Sequence, residues 1–330
     1  MNREEKTDVG LKNKKMNVEI GYRSICRIVL LAGSCLILFP FVVLGGNDAG
    51  RKDTAIHEGF GKFVYTGYKP LSDKPVAVYY YKPDNLPEDA PIMILMHGNS
   101  RAAISYRKSM ARYAEAHKFL LIVPKFSKKY YRYSRNYHQG GVFNKEGKMK
   151  NKKRWTFSII EPLFDYVKKI TGKQNEGYIL YGFSAGSQFV HRYTWFFPDN
   201  RAIKTITASA GSYTMPDYQV NYPYGLEKTK IPEEHLVKAF AKDYTIVVGG
   251  ADTVLSRKDL PKSASAREEG RDRVERAMHF YLNAKQMAAE KGVPFRWKFK
   301  MIPDVGHSQA QIAGSISSLL FGNKTVLQSL

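Results

Sequence analysis

Five residues, Gly182-Phe183-Ser184-Ala185-Gly186, have the spacing that can set a serine up as a nucleophile. The run Tyr178-Ile179-Leu180-Tyr181 before them reads as a strand, and Ser187 to His191 after them can continue as a helix. A sharp strand-to-helix turn holds such a serine in a strained conformation, and flanking glycines leave room for neighbouring backbone. A serine hydroxyl is a weak nucleophile at neutral pH, so a base must take its proton and an acid must hold that base in the right tautomer. In this strand-turn-helix setting the chain order is serine, acid, histidine. Downstream of Ser184 stand His191, His235, His279 and His307. His191 lies two turns along the elbow helix and points away, His235 precedes the expected acid strand, and His279 falls within a regular helix. His307, in Asp304-Val305-Gly306-His307-Ser308 after the last strand, is read as the base.

For the acid, Thr245 to Val248 is an apolar strand that ends in Gly249-Gly250-Ala251-Asp252. Asp252 is therefore the expected carboxylate, the plainer alternative being that it only caps the turn. Asp259 is the fallback, Asp243 lies at the wrong end of the strand, and Asp304 is expected to shape its own loop. The oxyanion of the transition state needs N–H donors. Ala185, directly after the nucleophile, should supply one, and Asn99 of Met96-His97-Gly98-Asn99-Ser100 the other, with Ser100 as the alternative. His97 is expected to shape that loop. Ser100, Phe183, Tyr137 and His138 are candidate substrate contacts. The two cysteines, Cys26 and Cys35, lie in or beside an N-terminal apolar run, so the catalytic body has no disulfide, thiolate metal site or cysteine nucleophile. The chemistry calls for no metal and no organic cofactor.

The elements that would position these groups form an α/β pattern. Strand candidates are Gly61 to Thr66, Val76 to Tyr81, Ile92 to Met96, Leu120 to Val123, Tyr178 to Tyr181, Thr205 to Ala208, Thr245 to Val248 and Trp297 to Ile302. Helices are expected over Ile104 to His117, Phe157 to Ile170, Ala185 to Phe197, Ala266 to Lys291 and Gln309 to Leu320. Apolar Ile159, Ile160, Leu163, Phe164 and Val167 share one helical face, as packing on a sheet requires. The expectation is a mostly parallel eight-stranded sheet with helices on both faces.

A formal charge of +22 in 330 residues favours anionic partners, unless it reflects only the charge habit of the host's exported proteins. Residues 1 to 27 carry seven Lys or Arg and four acids, so most of the excess belongs to the body. Ile28 to Leu44 is an apolar run behind a basic flank, read as a signal peptide or membrane anchor. That reading gives an N-terminal segment of 1–50 and a catalytic domain of 51–330 exported to the periplasm or beyond. Between Pro124 and Trp155, eleven Lys or Arg meet one acid, Glu146, and Tyr130, Tyr131, Tyr133 and Tyr137 are interleaved. This insertion, about 125–154, is expected to be a basic aromatic wall of the site or a membrane-contacting lid, the plainer alternative being a solvated excursion.

His97-Gly98-Asn99, Gly182 to Gly186, Gln188 to Arg192, Gly249 to Thr253 and Gly306-His307 together resemble the α/β-hydrolase superfamily. Within it they are similar to the branch of poly(3-hydroxybutyrate)-depolymerase-like and feruloyl-esterase-like exported hydrolases, over about 75–320. Gly140 to Phe143, Trp155 to Phe157 and Ala210 to Asp217 extend the likeness. The resemblance implies the hydrolase fold and a serine hydrolase cleaving a carboxylic ester, small or polymeric, through an acyl-enzyme. A peptidase or acyltransferase with the same triad stays open, as does a non-catalytic module that uses its basic surface. The body lacks the cysteines that brace several secreted depolymerases. An anionic membrane or polymer surface is an expected partner, and no specific nucleic acid is. Oligomeric state is not legible.

Overall fold

The computed structural model describes residues 56–322. The chain divides at Arg51, and every described residue lies in the second unit, Lys52–Leu330. The expected signal or anchor over 28–44 and both cysteines fall outside the described residues. Among the described residues no helix is long and apolar enough to cross a membrane.

Eight strands form one sheet: β1 Gly59–Tyr65, β2 Val76–Lys82, β3 Ile92–Met96, β4 Leu120–Lys125, β5 Tyr178–Phe183, β6 Ala202–Ala208, β7 Tyr244–Gly249 and β8 Trp297–Ile302. Their order is β1-β2-β4-β3-β5-β6-β7-β8. β1 and β2 pair antiparallel with each other, β2 is antiparallel to β4, and every pair from β4 to β8 is parallel. β3 and β5 are buried along their whole length, as parallel strands covered on both faces must be.

Alternation along each strand feeds two cores. Ile92, Ile94 and Met96 of β3 point into one, with Leu180, Ile246 and Val248. Met93 and Leu95 point into the other, with Leu121, Tyr181 and Val247. The first core is closed by α2 Ile160–Thr171, α3 Ala185–Phe196, α4 Glu233–Phe240 and α6 Arg273–Glu290. The second is closed by α1 Ala103–His117 and α7 Gln309–Phe321. Helices thus lie on both faces of the sheet, as expected from the sequence.

Two helical readings change. The helix expected over Ala266 to Lys291 is α5 Ala264–Glu268 and α6, separated at Gly270, whose φ of +144° only glycine adopts without strain. Asp272 restarts the chain as α6 by accepting the N–H groups of Val274 and Glu275 at 2.9 and 3.0 Å. The eight-residue α4, which buries Leu236, Ala239 and Phe240, is not in the sequence reading, since so short an apolar pattern barely declares a period.

The basic insertion is no loose excursion. Phe126, Tyr131, Tyr137, Val142 and Trp155 belong to the first core, and short 3-10 turns at Ser134–Asn136, Lys152–Arg154 and Thr156–Ile159 give it local order. The interleaving of rings and cations therefore reflects two sides of one segment. Tyr131 and Tyr137 face in, while Tyr133 and most of the charges face out.

Candidate active site

Ser184 sits at the turn from β5 into α3 with φ +57° and ψ −117°, a conformation that costs a non-glycine residue energy. Its N–H donates to Ala208 O at 2.9 Å, and its carbonyl accepts from Gln188 at 3.0 Å. Both flanking glycines are required by contact. A Cβ on Gly186 would stand 1.9 Å from Met96 O at the end of β3, and one on Gly182 would stand 2.3 Å from Gly186 O. The turn is thus wedged against the neighbouring strand, with the serine at the carboxyl edge of the sheet, where open α/β sheets build their sites.

The ends of β7 and β8 cross to bring up the other two groups. Gly250 N–H donates to Ile302 O at 2.8 Å, and Ala251 N–H to Val305 O at 3.0 Å. A Cβ on Gly249 would lie 2.1 Å from Val305 O, so the close approach of these loops requires glycine there. Across this junction His307 Nδ1 is 2.7 Å from Asp252 Oδ2, and His307 Nε2 is 3.0 Å from Ser184 Oγ. Asp252 is buried, and the Phe183 ring packs against the imidazole at 4.9 Å between centroids. Three residues separated by 55 to 123 positions thus meet in one hydrogen-bonded line.

Asp252 has a second partner that sequence reasoning missed. Arg273, the first residue of α6 and fully buried, places Nη1 3.4 Å from Asp252 Oδ1 and Nη2 3.1 and 3.2 Å from Asp259 O and Oδ1. Arg257 in turn grips both Asp259 oxygens at 2.9 and 3.0 Å. Burial raises the Asp259 pKa, but the bonds from Arg257 and the charges of Arg273 and His307 outweigh it and bring the group to about 2. Asp259 Oδ2 stands 3.8 Å from His307 Nε2, the nitrogen that faces Ser184, so it does not hold the position of the orienting acid. An arginine at a helix start carries no sequence mark of burial. The only available signal is its proximity to the Asp272 cap.

The loop after β3 is pinned by His97. Burial pushes His97 down to about 3, so it is neutral. Its Nε2 accepts from Phe126 N–H at 3.1 Å, which leaves Nδ1–H to donate to Gly98 O at 2.9 Å. The Tyr137 hydroxyl donates to His97 O at 2.6 Å, and the Arg101 guanidinium lies 4.0 Å over the Tyr137 ring. Asn99 and Ser100 are left exposed beside Ser184. They line a cavity of about 560 Å³ together with Tyr106, Lys128, Phe183, Arg257, Asp259 and His307.

Two expected substrate contacts are corrected. Tyr137 is buried in the core and holds the Asn99 loop from behind. His138 is buried against Arg192, whose Nη1 donates to His138 O at 3.2 Å, and burial with that cation drives its pKa well below the usual histidine range. Neither residue lines the cavity. Of the aromatic rings that suggested a wall, Tyr131 and Tyr137 are used inward for packing. The other histidines are engaged elsewhere: His191 with Ser187 O and Thr214 N, His235 with Trp195 O, and His279 with Glu269 O.

No family model and no curated protein matches the sequence. Solved structures do. Poly(aspartic acid) hydrolase-1 from Sphingomonas sp. KT-1 is 34% identical, with a TM-score of 0.77 over 80% of this chain and 99% of that one. LpqC, a poly(3-hydroxybutyrate) depolymerase from Bordetella parapertussis, is 29% identical, with a TM-score of 0.76 over 80% of this chain and 91% of that one. An IroE-like serine hydrolase from Shewanella oneidensis, 11% identical with a TM-score of 0.52 over 79% of this chain and 80% of that one, shares the fold. Identity of this order across nearly the whole of the Sphingomonas protein, on the same sheet, means that this chain is an enzyme that belongs to the α/β-hydrolase superfamily, in its poly(3-hydroxybutyrate)-depolymerase-like branch.

Proposed function

We propose that the protein is a serine hydrolase that cleaves a carboxylic ester through Ser184, His307 and Asp252. The observation that carries this reading is the unbroken line from Asp252 Oδ2 through His307 to Ser184 Oγ, at 2.7 and 3.0 Å. His307 Nε2 accepts the hydroxyl proton as Oγ bonds to the carbonyl carbon. The tetrahedral oxyanion is held by the N–H groups of Ala185 and Asn99, and Ala185, as the first residue of α3, has no acceptor within its own helix. Nε2–H then passes its proton to the leaving oxygen as the C–O bond breaks, which leaves an acyl-serine. Water, deprotonated by the same nitrogen, releases the acid and restores the serine. Asp252 keeps Nδ1 protonated and stabilises the imidazolium, and Arg273 holds the carboxylate oxygen that the imidazole does not use. The residues invoked supply nucleophile, base and oxyanion donors without an organic cofactor.

An amide-cleaving reading has one specific support: the Sphingomonas relative is named for hydrolysing poly(aspartic acid), whose links are amides. The depolymerase relative is named for a polyester. Export to the periplasm or beyond, by the basic flank and apolar run before residue 45, belongs to the same proposal.

The test is turnover of p-nitrophenyl esters and the matching anilides by the full chain and its Ser184→Ala variant. Ester turnover should fall at least about a thousandfold in the variant. Equal rates in the two proteins would end the serine assignment, and a preference for the anilide would turn the reading to amides.

A further inference from the structure

Asp259 lines the catalytic cavity with Ser184 and His307 but stands outside the line that joins them to Asp252. Its Oδ1 accepts from Arg257 Nε at 2.9 Å and from Arg273 Nη2 at 3.2 Å. Among the described residues, its Oδ2 accepts only from Arg257 Nη2, at 3.0 Å. A carboxylate oxygen has room for about two hydrogen bonds, so Oδ2 retains one. One arginine of the same loop and one at the start of α6 thus fix the group, and its pKa of about 2 keeps it ionised at neutral pH.

The acylation steps do not use this arrangement. In the resting site Nε2 faces the Ser184 hydroxyl at 3.0 Å. In an acyl-serine that oxygen has no hydrogen, and Nε2 must take its proton from the incoming water. Asp259 Oδ2 lies 3.8 Å from Nε2. That is too far for a direct hydrogen bond and near enough for one water to lie about 2.8 Å from both. The angle at such a water is about 85°, so each of its O–H bonds bends from linear by only about 10°. An alcohol has a single O–H, which Nε2 must receive, and it has no hydrogen left for the carboxylate.

We propose that Asp259 positions the water of deacylation and so commits the acyl-enzyme to hydrolysis over transfer to an alcohol. The proposal rests on the serine-hydrolase reading, because it requires an acyl-serine. Nε2 removes one hydrogen as a proton while the water oxygen bonds to the acyl carbon. The second hydrogen stays on that oxygen, bonded to Oδ2. The bond from the acyl carbon to Oγ then breaks, Nε2–H returns its proton to Ser184, and the acid leaves with the hydrogen that Asp259 held. Asp259 itself neither gains nor loses a proton. Its charge also faces the imidazolium, but that effect favours water and alcohol alike.

The experiment measures how the acyl group partitions between the two acceptors. The full chain turns over p-nitrophenyl butyrate with methanol raised until the parent forms measurable methyl ester, and chromatography gives the ratio of methyl ester to free acid. In Asp259→Asn the amide oxygen is drawn to the two arginine donors at the Oδ1 position, and its nitrogen takes the place of Oδ2, where it cannot accept. The ratio should rise about tenfold or more, the worth of one hydrogen bond to a charged group. Partition is decided after acylation, so a slower first step leaves the ratio unchanged. Asp252→Asn, which disturbs the base itself, should slow both products and keep the parent ratio. Circular dichroism and the melting temperature show whether the variant is folded, and Asp259→Ser gives the same comparison if the asparagine form is not. A ratio at or below the parent value in a folded variant overturns the assignment, and so does an equal slowing of both products. Ester turnover that survives in Ser184→Ala sinks the catalytic reading instead, since no acyl-serine would then exist to partition.

Discussion

Glu269 is a carboxyl group placed where it is hard to ionise. It is buried behind the acid loop, one oxygen accepts the Tyr213 N–H at 2.8 Å, and the other has no partner in the structure. Burial raises its pKa to about 8, and the Tyr213 bond with the charges of Arg192 and Arg276 only partly offsets the effect. The consequence for stability has a definite sign. Between the ordinary carboxyl value of 4.5 and about 8, the unfolded chain has lost this proton and the folded chain has kept it, so each step up in pH favours unfolding. Glu269→Gln removes that term. The variant should match the parent near pH 4.5 and exceed it in stability at pH 8, by up to about 5 kcal/mol and less after relaxation. Urea unfolding at the two pH values checks this, and an equal difference at both would contradict it.

At the scale of elements, the site depends on three strand ends that approach closely enough to exclude side chains. Gly186 lets α3 start against the end of β3, and Gly249 lets the β7 and β8 loops cross. Gly186→Ala must move either Met96 or the nucleophile turn, because the added carbon would overlap backbone. It should cost about 3 kcal/mol or more of stability, and ester turnover should fall further than the folded fraction does. Denaturant melts with activity normalised to folded protein separate the two losses. The break between α5 and α6 matters for the same reason. It lets α6 begin at Asp272 and so delivers Arg273 to Asp252.

For the whole molecule, a formal charge of +22 is a standing self-repulsion. Raising ionic strength from about 0.01 to 0.15 M shortens the screening length from about 30 to 8 Å. The melting temperature of the protein alone should therefore rise over that range, and scanning calorimetry in a non-binding salt measures it. A flat or falling value would mean that local ion pairs such as Arg201 with Glu161 and Asp165 already balance the excess.

Short apolar runs bounded by turn residues and the glycine spacing around Ser184, both local properties, were enough to place the eight strands and the strand-turn-helix at Ser184, while Asp252 and His307 were picked out by chain order. Such features are legible because backbone sterics and burial act on neighbours in sequence. The buried pairing of Arg273 with Asp252, the inward turn of Tyr137 and His138 and the break at Gly270 were decided only in three dimensions. Burial of a polar group depends on which distant residues cover it and bond to it. A tyrosine or an arginine reads the same in sequence whether it faces a substrate, a helix or water.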